Sequence, residues 1–361
     1  MSSIRARSPL SPTNCLKSLC AAMVEALLTR EAAEAAAVAR RQRAENGAII
    51  ADLVTRLRIK RPAFVATCAR GSSDHAASYG KYLIERTLGL PVASLGPSLA
   101  SVYGGELDLS RAVFIAASQS GRSPDALLLT EAAKRAGALV VGFVNDEASP
   151  LAGMVDVLVP LRAGTERSVA ATKSFLATCL AFLHLAAEWA QDEALYAALA
   201  KAPAAFDAAG RCDWTPVLLS WREASSLYVI GRGLSFGIAQ EIALKFKETC
   251  RIHAEAFSAA EVLHGPLALV GQGFPALALD PGDEGSESVR AAATAFSSLG
   301  ADLAYAGGGA GQNLPLPPDL PTALLPLAQV RAFYGALATL AESRGLDADR
   351  PPHLSKVTRT V

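Results

Sequence analysis

The sequence predicts an α/β fold made of two tandem units, each a parallel sheet flanked by helices in the flavodoxin-like, doubly wound manner. Three observations predict it. Short apolar runs without polar alternation recur, as in strands buried on both faces, and helical patterns separate them. An apolar strand, then Arg-Gly-x-Ser, then a helix occurs at Arg70–Ser73 and again at Arg232–Ser235, 162 residues further on. Finally, 361 residues is about twice a typical domain, and 51% of them are hydrophobic, enough for two cores.

The elements follow in order. Residues 1–20, with Ser, Pro and Asn, read as a loosely attached segment, and 23–57 as an Ala-rich helical stretch. "AFVATCA" (63–69) is the first buried strand, and "DHAASYGKYLIERTLG" is the helix after it. "VFIAAS", a helix near 124–136, "ALVVGFVN" (138–145) and "DVLVPL" (156–161) continue the alternation, and 170–190 is a long buried helix. A helical connection covers about 191–222. The second unit runs through "LYVIGRGLSFGIAQEIALKFKE" (227–248), "FPALALDP" (274–281), a helix at 286–300 and "ADLAYAG" (301–307). The expected division is therefore a flexible or helical segment at 1–45, a first domain at 46–200, a second at 201–345 and a C-terminal tail at 346–361.

Lys plus Arg and Asp plus Glu each total 34, so the formal net charge is zero. A balanced chain lacks the basic excess expected of a nucleic-acid or anionic-membrane surface. No apolar run approaches a membrane span, and the N-terminus has no long apolar stretch of a secretory signal, so a cytoplasmic protein is expected. The six cysteines are scattered without C-x-x-C spacing, which predicts reduced thiols and no zinc site.

"SQSGRSPD" (118–125) places three serines and a glycine where a strand should end and a helix begin. In open α/β sheets ligands bind beyond the carboxyl ends of strands, where helix N-termini offer unpaired N–H groups to an anion. Ser118, Ser120 and Ser123 would add hydroxyls, Gln119 an amide and Gly121 a close backbone approach. Gly71, Ser72 and Ser73 repeat the pattern at another strand end. N-capping is the ordinary use of such serines. Two clusters without a Walker lysine favour a shared phosphate.

Together with "AGTERSVAATKSF" (163–175), "EIALKFKE", "IHAEAFSAAEVLHGPLAL" (252–269) and "RPPHLSKVT" (350–358), these motifs resemble the sugar isomerase (SIS) domain. The form resembled is the isomerase half of glucosamine-6-phosphate synthase and the related glucosamine-6-phosphate deaminases. It covers roughly residues 40–361 and implies two tandem SIS domains. The resemblance implies a sugar phosphate held by Ser73, Ser118, Gln119, Ser120 and Ser123, beside Gly71 and Ser72, with backbone help near Val169. Three departures stand out: Arg70-Gly71-Ser72-Ser73 replaces the usual Cys-Gly-Thr-Ser, Ser123 stands for a threonine, and Arg122 for an acidic residue.

Glu241, Lys245 and Glu248 fall on one helix face. Such a triplet is ordinarily a solvated, salt-bridged face, yet the neighbours Ile242, Leu244 and Phe246 suggest burial, which raises a carboxylate's proton affinity and suits a general base. The resemblance assigns Glu248 the proton shuttle between sugar C1 and C2, with Glu241 and Lys245 in support. It makes His264 the ring-opening residue, reaching into a neighbouring subunit's site, and so implies a homodimer. Lys356 would sit on a lid-like tail facing the open-chain carbonyl, although a lysine so near a terminus is usually just solvated. His253 reads as structural, and His75 and His184 as helix-face or core residues.

The resemblance implies no metal and no cofactor. About 40 residues ahead of the shared region are too few for a glutaminase, so the expected reaction is the ammonia-releasing one: glucosamine-6-phosphate to fructose-6-phosphate and ammonia. Open alternatives are a sugar-phosphate isomerase, a fructosamine-6-phosphate deglycase, a galactosamine-6-phosphate deaminase and, outside catalysis, a sugar-phosphate sensor.

Overall fold

The computed structural model describes residues 25–307 and 314–356. The segment expected to be loosely attached, with Cys15 and Cys20, lies outside them. Three helices lead: α1 (Leu27–Ala33), α2 (Ala35–Glu45) and α3 (Gly47–Lys60). The first sheet unit follows, with β1 (Phe64–Cys68), α4 (Ser72–Leu88), β2 (Val92–Ser94), the short α5 (Ser98–Ser101) and β3 (Ala112–Ser118). It continues through α6 (Pro124–Arg135), β4 (Leu139–Val144), α7 (Pro150–Met154), β5 (Val157–Pro160) and α8 (Lys173–Ala190). Helices α9 (Glu193–Ala209) and α10 (Thr215–Ser220) make the connection. The second unit holds β6 (Ser226–Gly231), α11 (Leu234–Cys250), β7 (His253–Ser258) and two 3-10 turns, Glu261–His264 and Pro266–Leu269. It ends with β8 (Pro275–Leu279), α12 (Ser286–Ser298), β9 (Asp302–Ala306) and α13 (Leu325–Ser343).

Both sheets are parallel, ordered β2-β1-β3-β4-β5 and β7-β6-β8-β9. The first four strands of one sheet thus match the four of the other, as the repeated Arg-Gly-x-Ser segments predict. Both of those strand-to-helix turns rest on a glycine with positive φ, Gly71 at 54° and Gly233 at 55°. A side chain there would be strained. Apolar residues cover both faces of each sheet. On the first, Val113, Ile115 and Phe143 face the α3 and α8 side, while Phe114, Ala116 and Val140 face α6.

Apart from the short α5, α7 and 3-10 turns, three elements escape the sequence-based expectation. Strand β2 has three residues, and β7 alternates exposed and buried positions instead of running apolar. Helix α13 is buried along most of its length and has no strand beside it to mark a repeat. Its Phe333 and Leu337 share one large core with α1, α2, α4, α8 and α11, so the two units are joined by a common interior.

That core brings α4 against α11. A Cβ on Gly237 would come within 2.5 Å of the His75 carbonyl oxygen and 2.7 Å of the Tyr79 nitrogen. Glycine therefore sets how closely the two helices pass. The crossing places the N-terminal turns of α4 beside the polar face of α11. Among the described residues, no helix is long and apolar enough to cross a membrane.

Candidate active site

A cavity of about 370 Å³ opens at the carboxyl ends of β1 and β3. These strands are paired neighbours, and the chain reverses its order across the sheet between them, which is where open parallel sheets hold ligands. The cavity is lined by Arg70, Gly71, Ser72 and Ser73, by Ser118, Gln119, Ser120 and Ser123, and by Val169, Ala171, Ser174 and Phe175. Glu248 and the tail residues Leu354, Ser355 and Lys356 complete it. Ten of the thirteen residues singled out by sequence therefore meet here. Glu241 and Lys245 stand behind the wall, fully buried. His264 is exposed at the end of its 3-10 turn and does not line this cavity of its own chain.

The N-termini of three helices, α4, α6 and α8, reach the cavity. Among the described residues, the cap residues Gly71, Ser123 and Thr172 give none of them a side-chain cap bond, but at α8 the Glu166 carboxylate takes the Thr172 and Ser174 N–H groups, so only α4 and α6 are left uncapped. The capping use of Ser123 is thus not realised, and its hydroxyl stays available to a ligand. Ser118 Oγ accepts from the Gly121 N–H at 2.9 Å and Ser120 Oγ from the Arg122 N–H at 3.4 Å, so both hydroxyls shape the loop as acceptors and retain a proton to donate. Hydroxyls and uncapped N–H groups together suit a small anion. Val169 departs from the expected backbone help, because its N–H is already donated to the Asp349 carbonyl oxygen at 3.3 Å.

At the equivalent strand end of the second unit the chain supplies its own anion. The Asp280 carboxylate accepts from the Gly282 N–H at 2.8 Å, from Tyr305 Oη at 2.6 Å and from the Ser286 hydroxyl. Among the described residues, the strand-end hydroxyls of the first unit thus meet no carboxylate of this kind, while that of Ser286 in the second is taken by Asp280.

Behind the cavity runs a buried ionic chain. Lys245 Nζ donates to Glu248 Oε2 at 2.7 Å and Ser72 Oγ at 2.9 Å, and lies 3.1 Å from Glu241 Oε1. Three protons meet three acceptors. An ammonium cannot accept, so Ser72 must, and its own O–H is left to point elsewhere. Glu241 is also held by His75 Nδ1 at 3.0 Å and by Tyr334 Oη at 3.2 Å. Burial pushes the Glu241 carboxyl up, but the Lys245 charge and the His75 contact outweigh it and hold the group below the usual glutamate range. For Lys245, burial opposes the charge and the two carboxylates more than reverse it, raising the ammonium above ordinary lysine. The lysine is therefore a permanent cation that fixes one oxygen of Glu248. Glu248 itself is 18% exposed, toward the cavity.

The tail is held by residues that sequence reasoning passed over. Lys356 Nζ donates to Glu166 Oε2 at 2.9 Å. Glu166 is fully buried and also accepts from the Thr172 N–H, the Ser174 N–H and Ser174 Oγ. Burial raises its carboxyl, yet Lys356 and these donors prevail and the net shift is downward. Upstream, Asp349 accepts from the Leu27 and Leu28 N–H groups, both at 2.7 Å, and Glu31 accepts from the Arg167 and Ser168 N–H groups. Helix α1 thus ties the tail to the loop that carries Glu166. Glu166 is in "AGTERSVAATKSF", where an acid six residues before the cap position of α8 is the only local hint.

A depressed folded pKa gives Glu166 a stabilising role that is present above the ordinary glutamate range and lost as pH falls through the folded value. At neutral pH the corresponding lesion is Glu166→Gln. It is expected to free Lys356 and speed trypsin cleavage after that residue by about tenfold, consistent with loss of roughly 1.5 kcal/mol of charge-assisted bonding. Unchanged cleavage would show that the tail is held by other contacts.

Cys68, Cys179 and Cys250 are buried free thiols, and burial pushes Cys250 up to about 11, which removes thiolate chemistry. Among the described residues, no group of three His, Cys, Asp or Glu side chains is spaced to hold a metal ion.

A family model for the SIS domain matches residues 64–188 and 221–304, more than half of the chain. The chain belongs to the SIS domain family. Among SIS relatives, the glutamine–fructose-6-phosphate aminotransferase [isomerizing] of Aeropyrum pernix is 35% identical over 316 residues, which cover 79% of this chain and 49% of that protein. The chain spans about half the length of the curated relatives it matches. A solved structure from Silicibacter pomeroyi, described as a candidate phosphosugar isomerase, is 42% identical with a TM-score of 0.85, covering 90% of this chain and 100% of that one. The glucosamine-6-phosphate deaminase of Thermotoga maritima is 25% identical with a TM-score of 0.69, covering 91% and 100%. Both SIS matches fall on the two sheet units described above; the cavity opens at the strand ends of the first and is completed by Glu248 of the second and by the tail.

Proposed function

We propose that this SIS protein is a glucosamine-6-phosphate deaminase, releasing ammonia and forming fructose-6-phosphate by acid–base chemistry alone. The observation that carries the reading is the placement of Glu248: it faces a cavity of hydroxyl and N–H donors, with one carboxylate oxygen held by a permanently charged lysine. In this reading residues 46–200 supply the phosphate site, 201–345 the base and 346–361 the lid. Both units derive from one doubly wound ancestor.

The phosphate sits among Ser73, Ser118, Gln119, Ser120 and Ser123, with Ser72 donating its free O–H. Once the ring is open, Glu248 takes the proton from C2 and returns it to C1, which turns the amino aldose into a C2 imine. Water adds to the imine carbon, and ammonia leaves as the C2 carbonyl forms. Lys356, on the tail over the cavity, lies on the carbonyl side in this reading, and its ammonium is paired with Glu166 until the tail moves. His264 opens the ring in a partner's site, which makes the working unit a homodimer. The name of the Thermotoga maritima relative supports the deaminase assignment.

A second reading has its own support. The Silicibacter pomeroyi structure, at 42% identity, is described as a candidate phosphosugar isomerase, and aldose–ketose interconversion needs the same Glu248. Incubation with glucosamine-6-phosphate, without glutamine, separates the two. Equimolar ammonia and fructose-6-phosphate are expected. Interconversion of unsubstituted sugar phosphates with no ammonia would replace the deaminase with the isomerase, and silence on both would turn attention to galactosamine-6-phosphate, fructosamine-6-phosphate and a sensor role.

A further inference from the structure

A phosphate monoester brings nearly two negative charges into the cavity, and the serines that meet it are neutral. The cations around the site are mostly committed. Lys356 is 2.9 Å from the buried carboxylate of Glu166. Lys245 lies 2.7 Å from Glu248 and 3.1 Å from Glu241. Arg122, in the serine loop, is 2.8 Å from Asp146. Arg70 differs from all of these. It lines the cavity, its side chain is 50% exposed, and its contact with Asp125 Oδ2 is 3.5 Å, at the outer edge of hydrogen-bonding range.

Its location is also specific. Arg70 immediately precedes Gly71, whose positive φ turns the chain from β1 into α4. Asp125 lies in the first turn of α6, two residues beyond Ser123. The guanidinium therefore spans from the first serine cluster to the second, across the space where their donors converge. A planar fork with several donors suits phosphate oxygens in a way a lone ammonium does not.

We propose that Arg70 is a substrate-binding residue that moves from its loose contact with Asp125 onto the phosphate of the bound sugar, supplying a charged partner among otherwise neutral donors. The inference rests on the reading of this cavity as a sugar-phosphate site. Because Arg70 is half exposed and its ion pair is long, removing it should leave the fold intact.

The test is direct binding of fructose-6-phosphate, followed by calorimetry at two salt concentrations for the wild type, Arg70→Ala and Arg70→Lys. Arg70→Ala is expected to weaken binding on the order of 10- to 100-fold, the range for a charge-assisted bond, and to flatten its dependence on salt. Arg70→Lys, which keeps the charge without the fork, is expected to recover part of the affinity and the salt dependence. A merely structural residue would not change the salt dependence. Binding by Arg70→Ala within twofold of wild type, with the same salt dependence, overturns the assignment of Arg70 and leaves the cavity's reading intact. A wild type that binds no sugar phosphate overturns both.

Discussion

Glu248→Gln is expected to lower the turnover of glucosamine-6-phosphate by about 10²–10⁴-fold, the usual contribution of a positioned general base, while fructose-6-phosphate still binds. The substitution keeps the shape of the side chain and an oxygen able to accept from Lys245. It removes only the ability to take a proton. The phosphate donors belong to α4, α6 and the loops before them, so ligand affinity should change little. The decisive comparison is kcat against the directly measured Kd, with exchange of solvent deuterium into the sugar as a second readout. Exchange should vanish together with turnover. Loss of binding in parallel with kcat would instead make Glu248 a ligand-holding residue. Activity within tenfold of wild type would remove it from the chemistry and leave the base to be sought elsewhere on the cavity wall.

The parts of this site that could be read from sequence are those whose physics is local. The runs "FVATC" and "AVFIAAS" announce strands because both faces are covered and all positions but Thr67 and Ser118 are apolar. "SQSGRS" announces a ligand loop because serines and glycine at a strand end have few other uses. Strand β7 was hidden because its edge position lets "HAEAFS" alternate. The ionic relay was legible in part: spacing alone puts Glu241, Lys245 and Glu248 on one face. What it cannot show is that this face is dry, since the cover comes from α4 and α13, distant in sequence. His75, read as a helix-face or core residue, meets Glu241 across 166 positions, and Glu31 meets Arg167 across 136. Such pairings leave no periodic trace in either segment. The same applies to Asp349, which reaches the first turn of α1 from the opposite end of the chain.

Lys245→Met should produce a large loss of stability, about 3–5 kcal/mol in urea unfolding, because it strands two carboxylates that the lysine now compensates. Glu241 and Lys245 are both 0% exposed, so the Glu241 carboxylate left behind has no solvent of its own to take over the charge. The pH dependence separates this cause from simple loss of packing. In the wild type the Glu241 carboxyl is held low against the pull of burial, so it contributes stability above the ordinary glutamate range, and that contribution fades as pH falls through the depressed value. Without the lysine the burial effect is no longer outweighed and the folded carboxyl moves up. Its ionised form then costs stability at neutral pH, and protonation relieves the cost as pH falls. As pH falls from roughly 7 to 5, the Glu241 contribution in the wild type should therefore stay flat, its loss coming only below the ordinary glutamate range, while Lys245→Met should gain stability. Adding Glu241→Gln to Lys245→Met should recover about half of the loss, since a neutral amide still accepts from His75, yet turnover should stay low because nothing then fixes Glu248. Parallel pH slopes, or a double variant no more stable than the single, would mean that Lys245 acts through the shape of its side chain and that the buried charges are balanced by other groups.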